Sequence, residues 1–224
     1  MTTLLALDTA TEACSVALLH NGEITSDYAV IPRMHAQRVL PMVHELLSAS
    51  SVALTDIDAI AFGRGPGAFT GLRIAVGVVQ GLAFALERPV LPVSNLAAIA
   101  QRAWREQGVQ QVAAAIDARM EEVYWGCYQL QDNCMQLQGV ERVCAPEAAQ
   151  LPRTASGEWI GAGTGWQTYA ARLNVPVKRT LVDMLPHAED ILALALADWQ
   201  HGRAIAADQA QPIYLRDQVA TPKA

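Results

Sequence analysis

The segment GRGPGAFTGLR, residues 63 to 73, places glycines at 63, 65, 67 and 71 directly after the apolar run IDAIAF. Free backbone N–H groups at a helix start could cradle a phosphate there. A Walker loop needs Lys and then Ser or Thr after its last glycine, whereas Gly71 is followed by Leu72 and Arg73. The GxGxxG spacing is also absent. The favoured reading is a tight strand-to-helix turn with close backbone approach, which glycine alone permits. Asp8 and Asp117 each end an apolar run, so two carboxylates facing a cleft could hold Mg²⁺ or position a water. An Asp at a strand end also caps the next turn. The stretches DTAT and DARM lack the glycine that brings backbone close to phosphate, so capping is favoured. His20, His35, His44, His187 and His201 form no HxxxH or HExxH pair, and His35 reads as a polar surface residue. No GxSxG occurs, and Ser15 and Ser94 have no evident His partner. GAGTG, residues 161 to 165, reads as a strand-to-helix turn rather than a phosphate site. Cys14, Cys127, Cys134 and Cys144 make no CxxC pair and read as structural thiols. No catalytic residue and no metal ligand set emerges.

These groups need elements to position them. Residues 3 to 7 form a short apolar strand ending at Asp8. CSVALL and EITSDYAV flank Asn21-Gly22, the signal of a two-residue hairpin turn. Residues 36 to 48 carry Val39, Leu40, Val43, Leu46 and Leu47 on one helical face, with Pro41 expected near the first turn or at a kink. A buried strand over 57 to 62 leads into the glycine loop. A helix over 70 to 86 follows, then the strand PVLPVS and a helix over 95 to 106. The helix over 70 to 86 is apolar around its whole circumference, which predicts burial all round, with a partner covering part of it. After REQGVQQ the pattern starts again. Asp8 aligns with Asp117 and Glu12 with Glu121, each within strand, loop, β-rich strand, polar turn and return strand. This predicts an α/β fold of two tandem lobes, 1 to 106 and 107 to 224, with the last helix (187 to 201) and tail free to pack back on the first lobe. The tail itself is expected to fray.

The chain has 224 residues, a net charge of −6 and 52% hydrophobic content. That composition fits a packed globular core and gives no general attraction to nucleic acid. The start MTTLLALDTA lacks a basic leader region, and no apolar run reaches the roughly 18 residues of a membrane span. A reducing cytoplasmic location is expected.

LALDTAT, GRGPGAFTGLRIAVGVVQGLAFAL, IDARMEEVYW and PIYLRDQVA together resemble the bacterial TsaB (YeaZ) family over nearly the whole chain. The resemblance implies two actin-like ATPase (ASKHA, RNase H-like) lobes and a role in forming threonylcarbamoyladenosine in tRNA next to the anticodon. It implies a non-catalytic scaffold that binds the related catalytic subunit TsaD and recruits the ATPase TsaE. It further implies homodimerisation through the same face when alone, only indirect contact with tRNA and no membrane. The catalytic relative carries HxxxH where this chain has Asn95 and Ile99, neither of which replaces an imidazole ligand. A weak ATPase or a protease-like hydrolase of the same superfamily is the alternative. The expected partner face comprises Val39, Leu40, Val43, Leu47, Leu72, Arg73, Ala75, Val76, Gly77, Val79, Gln80 and Gly81. No cofactor is expected to bind tightly. ATP or ADP at the interface with TsaD would lie near Pro66, Gly67, Asp117 and Arg119.

Overall fold

The computed structural model describes residues 2–153 and 157–216. β1 (Leu4–Asp8) is buried along its whole length, four apolar residues followed by the buried Asp8. It pairs antiparallel with β2 (Ala13–His20), which turns at Asn21 and Gly22 into β3 (Glu23–Val30). Both turn residues have positive φ, 54° and 82°, the requirement of the tight hairpin. β4 (Ala59–Gly65) and β5 (Val90–Ser94) extend the sheet in parallel on the other side of β1, giving the order β3-β2-β1-β4-β5.

The second sheet repeats this order. β6 (Gln111–Asp117) is its central strand. β7 (Val123–Gln131) and β8 (Cys134–Leu137) form the antiparallel side, with the short β9 (Arg142–Cys144) also on β7. β10 (Ile160–Ala162) and β11 (Arg179–Leu181) form the parallel side. Asp8 and Asp117 are thus equivalent, each ending the central strand of its lobe. Two lobes with this shared strand order are the actin-like ATPase arrangement expected from the sequence.

Helices fill the layers. α1 (His35–Ala49) and α2 (Phe69–Leu86) cover one face of the first sheet. There Leu5, Leu7, Val16 and Phe62 meet Val39, Val43, Leu47, Ala75, Val76 and Val79. α3 (Asn95–Gln107) lies between the sheets, capped by Ser94 at its start and ended by Gly108 at φ 67°. α4 (Thr164–Thr168) is a single turn and a half. α5 (Ala188–Gln200) returns to the first lobe, setting Ile191, Leu192 and Ala195 against Leu4, Ala6 and Leu91. Two bidentate bonds of 2.9 and 2.8 Å from Arg105 to buried Asp190 tie α5 to α3.

Several expectations are corrected. The strand before the glycine loop runs on to Gly65, so the first two of the segment's four glycines are strand residues. α2 is not buried all round. Ala75, Val76, Val79 and Ala83 face the core, while Gly77, Gly81 and Phe84 are exposed. With Phe69 and the glycines included, α2 is long and apolar enough to cross a membrane, at mean hydropathy 1.6 over 18 residues. Here its inner face lies on a sheet. His35 is buried, with Nε2 3.2 Å from the Ala13 carbonyl oxygen, so it is no surface residue. Tail residues 211–216 do not fray. The Ile213 N–H donates to the Arg64 carbonyl oxygen of the first lobe at 2.7 Å, and Arg216 reaches Glu122 of the second. The remainder of the expected fraying tail lies outside the described residues.

Candidate functional site

The loops after β1 and β6, the start of α2 and the tail face one another across a cleft between the lobes. Its cavity is about 500 Å³, and its walls include Glu12, Gly67, Phe69, Asp117, Arg119 and Tyr214. The glycine loop enters it with part of its backbone bonded to the loop after β1. The Ala68 N–H donates to Ala10 at 2.7 Å, and the Thr9 hydroxyl donates to the Gly71 carbonyl at 2.7 Å. A Cβ on Gly67 would meet the Ala10 carbonyl oxygen at 2.5 Å, and one on Gly71 would strike that of Thr9. These two glycines therefore let the β1 loop lie directly on the start of α2. The turn reading explains them without a phosphate.

The two equivalent aspartates do not form a pair across the cleft. Asp8 lies beneath it, fully buried. Its Oδ1 accepts from Asn95 Nδ2 at 2.5 Å and its Oδ2 from the Ala10 N–H at 3.2 Å. Burial pushes its carboxyl up to about 6, against the lowering effect of those hydrogen bonds. Asn95 is itself fully buried, and its Oδ1 accepts the Gly65 N–H at 2.7 Å. A Cβ on Gly63 would strike both Asp8 and Asn95. Asn95 thus bridges β1, β4 and α3 through these hydrogen bonds. Ile99, one turn on, belongs to the apolar cluster with Leu96 and Ala162.

Asp117 does border the cleft, with both oxygens engaged. Oδ1 accepts from the Arg119 N–H at 2.8 Å and the Tyr169 hydroxyl at 3.1 Å, and Oδ2 from Arg119 Nη1 at 2.9 Å. It caps its own loop. Among the described residues, no group of three His, Cys, Asp or Glu side chains is placed to hold a metal. Burial pushes the Cys14 and Cys127 thiols up to about 12, far from nucleophilic thiolates. Of the expected nucleotide-proximal residues, Gly67, Asp117 and Arg119 line the cleft. Pro66 is buried behind it.

The expected partner face divides in two. Val39, Val43, Leu47, Leu72, Ala75, Val76 and Val79 are buried in the chain's own core, because the apolar stripe that drew attention to them is the one that binds the sheet. Gln80 is held by the tail, donating to the Ala210 carbonyl at 2.9 Å. Leu40, Arg73, Gly77 and Gly81 lie on the outer surface. The sequence reading missed Phe69 and Phe84 beside them, 49% and 59% exposed. Positions 73, 77, 81 and 84 recur at helical spacing, a signal that was present. It also missed Tyr214, whose hydroxyl accepts from Arg73 Nε at 3.2 Å while its ring packs on Phe69 at 5.4 Å.

Comparison with known proteins agrees with this architecture. Residues 23–223 match the family model described as TsaD, tRNA N6-adenosine threonylcarbamoyltransferase. The chain is 46% identical to the Escherichia coli tRNA threonylcarbamoyladenosine biosynthesis protein TsaB, covering 98% of this chain and 97% of that protein. It is 42% identical to the Haemophilus influenzae protein of the same name, covering 99% and 96%. The structure of YeaZ from Pseudomonas aeruginosa superposes with a TM-score of 0.93 at 63% identity, over 96% of this chain and all of that one. The chain belongs to the TsaB (YeaZ) family of tRNA threonylcarbamoyladenosine biosynthesis proteins.

Proposed function

We propose that this chain is a non-catalytic scaffold that holds a TsaD-type catalytic subunit and recruits the TsaE ATPase, so that threonylcarbamoyladenosine forms in tRNA next to the anticodon. The observation that carries the reading is the outer face of α2. Phe69, Arg73, Gly77, Gly81 and Phe84 make an uncovered, largely apolar strip on a helix whose other face is core. Nothing lies within 4 Å of a Cβ built on Gly77 or Gly81, so the strip is flat and open to another backbone. Exposed apolar surface of this kind marks a protein contact. Leu40 of α1 widens the strip. A second copy of the chain occupies the same strip when the catalytic subunit is absent.

The lack of imidazole at Asn95 and Ile99 and the engaged oxygens of Asp8 and Asp117 support a chain without its own metal chemistry. ATP or ADP is held at the junction with TsaD, where Gly67, Asp117 and Arg119 line the cleft. The net charge of −6 favours tRNA contact through the partners, and the setting is the cytoplasm, away from a membrane.

Reconstitution with TsaD, TsaE, threonylcarbamoyl-adenylate synthase, ATP and tRNA, with and without this chain, tests the role. Modification that depends on the chain, while the chain alone turns over no ATP, is the expected result. Equal modification without it overturns the proposal. Gly77→Leu sharpens the test. Leucine is the better helix former by roughly 1 kcal/mol and meets no neighbour here, so the chain folds at least as stably. Its affinity for TsaD should fall at least about 10-fold, a loss of 1.4 kcal/mol or more. Wild-type affinity measured by calorimetry would remove the strip from the interface.

A further inference from the structure

The loop joining β6 to β7 is held in an unusual shape. Arg119, Met120 and Glu121 have φ of 61°, 53° and 60°, three consecutive left-handed residues and none a glycine. Each such residue is strained and persists only when its surroundings over-determine it. Local bonds close the loop at its base: Ala118 N–H to Glu122 O at 3.0 Å, and Glu122 N–H to Arg119 O at 3.1 Å. Asp117 adds bonds from the Arg119 N–H and guanidinium, which leaves Met120 standing out at the cleft.

A further constraint on its backbone carbonyls comes from far along the chain. Arg216 is largely buried and directs its guanidinium into this loop. Nη1 donates to the Ala118 carbonyl at 3.1 Å and lies 3.5 Å from the Met120 sulfur. Nη2 donates to the Arg119 carbonyl at 3.3 Å and to the Glu122 carboxylate, which also accepts from Nε at 3.1 Å. A planar guanidinium makes such a fork, and an ammonium cannot. Just upstream, the same tail is fastened to the opposite wall, through Ile213 on Arg64 and Tyr214 on Arg73 and Phe69.

We propose that Arg216 is a positioning residue. It clamps the strained loop 118–122 into its cleft-facing shape, and residues 213–216 are a strap that fixes this second-lobe wall against the start of α2 in the first lobe. The geometry of the strap stands on this chain alone. Only its effect on a partner or nucleotide rests on the function proposed above.

Hydrogen–deuterium exchange of the full chain, without partners, tests the clamp separately from that function. Arg216→Ala should speed exchange across 118–122 at least about 10-fold and leave β1 to β5 unchanged. Arg216→Lys keeps the charge but loses the fork, and should recover only part of the protection. Glu122→Gln, at a half-exposed position that leaves the fold intact, should give a smaller increase at the same amides. Unchanged exchange of 118–122 in Arg216→Ala overturns the clamp, as does full rescue by lysine, which would leave only charge. Should Arg216→Ala fail to fold, the lysine and Glu122→Gln variants decide by the same amides. TsaD affinity of the same variants then reads the consequence: a fall in step with loop exchange ties the strap to docking, whereas unchanged affinity with a loosened loop shows that docking does not use the loop and leaves the clamp standing.

Discussion

The first lobe covers its sheet with long helices on both faces, whereas the second covers one face with α3 and the other mainly with aromatic side chains. In the first, α1 and α2 lie on one side and α3 and α5 on the other. In the second, Trp125, Trp159 and Trp166 gather with Leu173 and Val175 where the five-residue α4 is too short to form a layer. The central aspartates differ in the same sense. Asp8 is sealed under helices, while Asp117 stays at the rim and caps a loop. One strand order therefore supports two ways of excluding water. Helical cover leaves a second helix face exposed, and aromatic cover leaves loops that can shape a cleft.

This contrast can be broken at its strongest point. Trp166 packs against Trp125 at 5.7 Å, lies on Gly161 and donates its indole N–H to Ala113 at 2.8 Å. Trp166→Ala should cost about 3–5 kcal/mol in urea unfolding, because no helix is available to collapse onto the gap. A loss below about 1 kcal/mol would show that the aromatic layer is dispensable.

The aspartates sharpen it with a pH dependence. The Asp8 carboxyl sits at about 6 in the fold against an ordinary 3.8, because burial disfavours its charge. The folded chain thus binds that proton more tightly than the unfolded chain. Its stabilising effect is complete below about pH 4 and is lost as the pH rises through 6. Asp8→Asn does not titrate. Wild-type stability relative to that variant should fall by about 2 kcal/mol between pH 4 and pH 7, read from paired denaturation curves. A flat difference would mean that Asp8 is not desolvated. The matching Asp117→Asn should change stability by about 1 kcal/mol or less, since its ion partner Arg119 is 77% exposed. A larger loss in thermal unfolding would make the two aspartates energetically alike.

Much of the architecture was legible. Asn21-Gly22 announced the first hairpin, the apolar runs ending at Asp8 and Asp117 announced the central strands, and their repetition announced two lobes. The candidate surface was legible only in part. The apolar residues of α1 and α2 were all visible, but a helix that is apolar throughout does not say which side its own sheet will take. Val39 and Val79 went inward and Phe84 outward because β4 and β1 meet only one face. Tyr214 and Arg216 were visible as letters. Their work depends on contacts with Arg73 and Glu122, distant in sequence, that no local pattern encodes.

Periodicity, turn chemistry and the missing histidines are local properties, so the sequence alone determined the element order, the doubled lobe and the absence of imidazole at Asn95 and Ile99. Which apolar face stays open, which aspartate is buried and what holds the cleft loop are decided by long-range packing. Those answers exist only once both sheets, the returning α5 and the tail lie against one another.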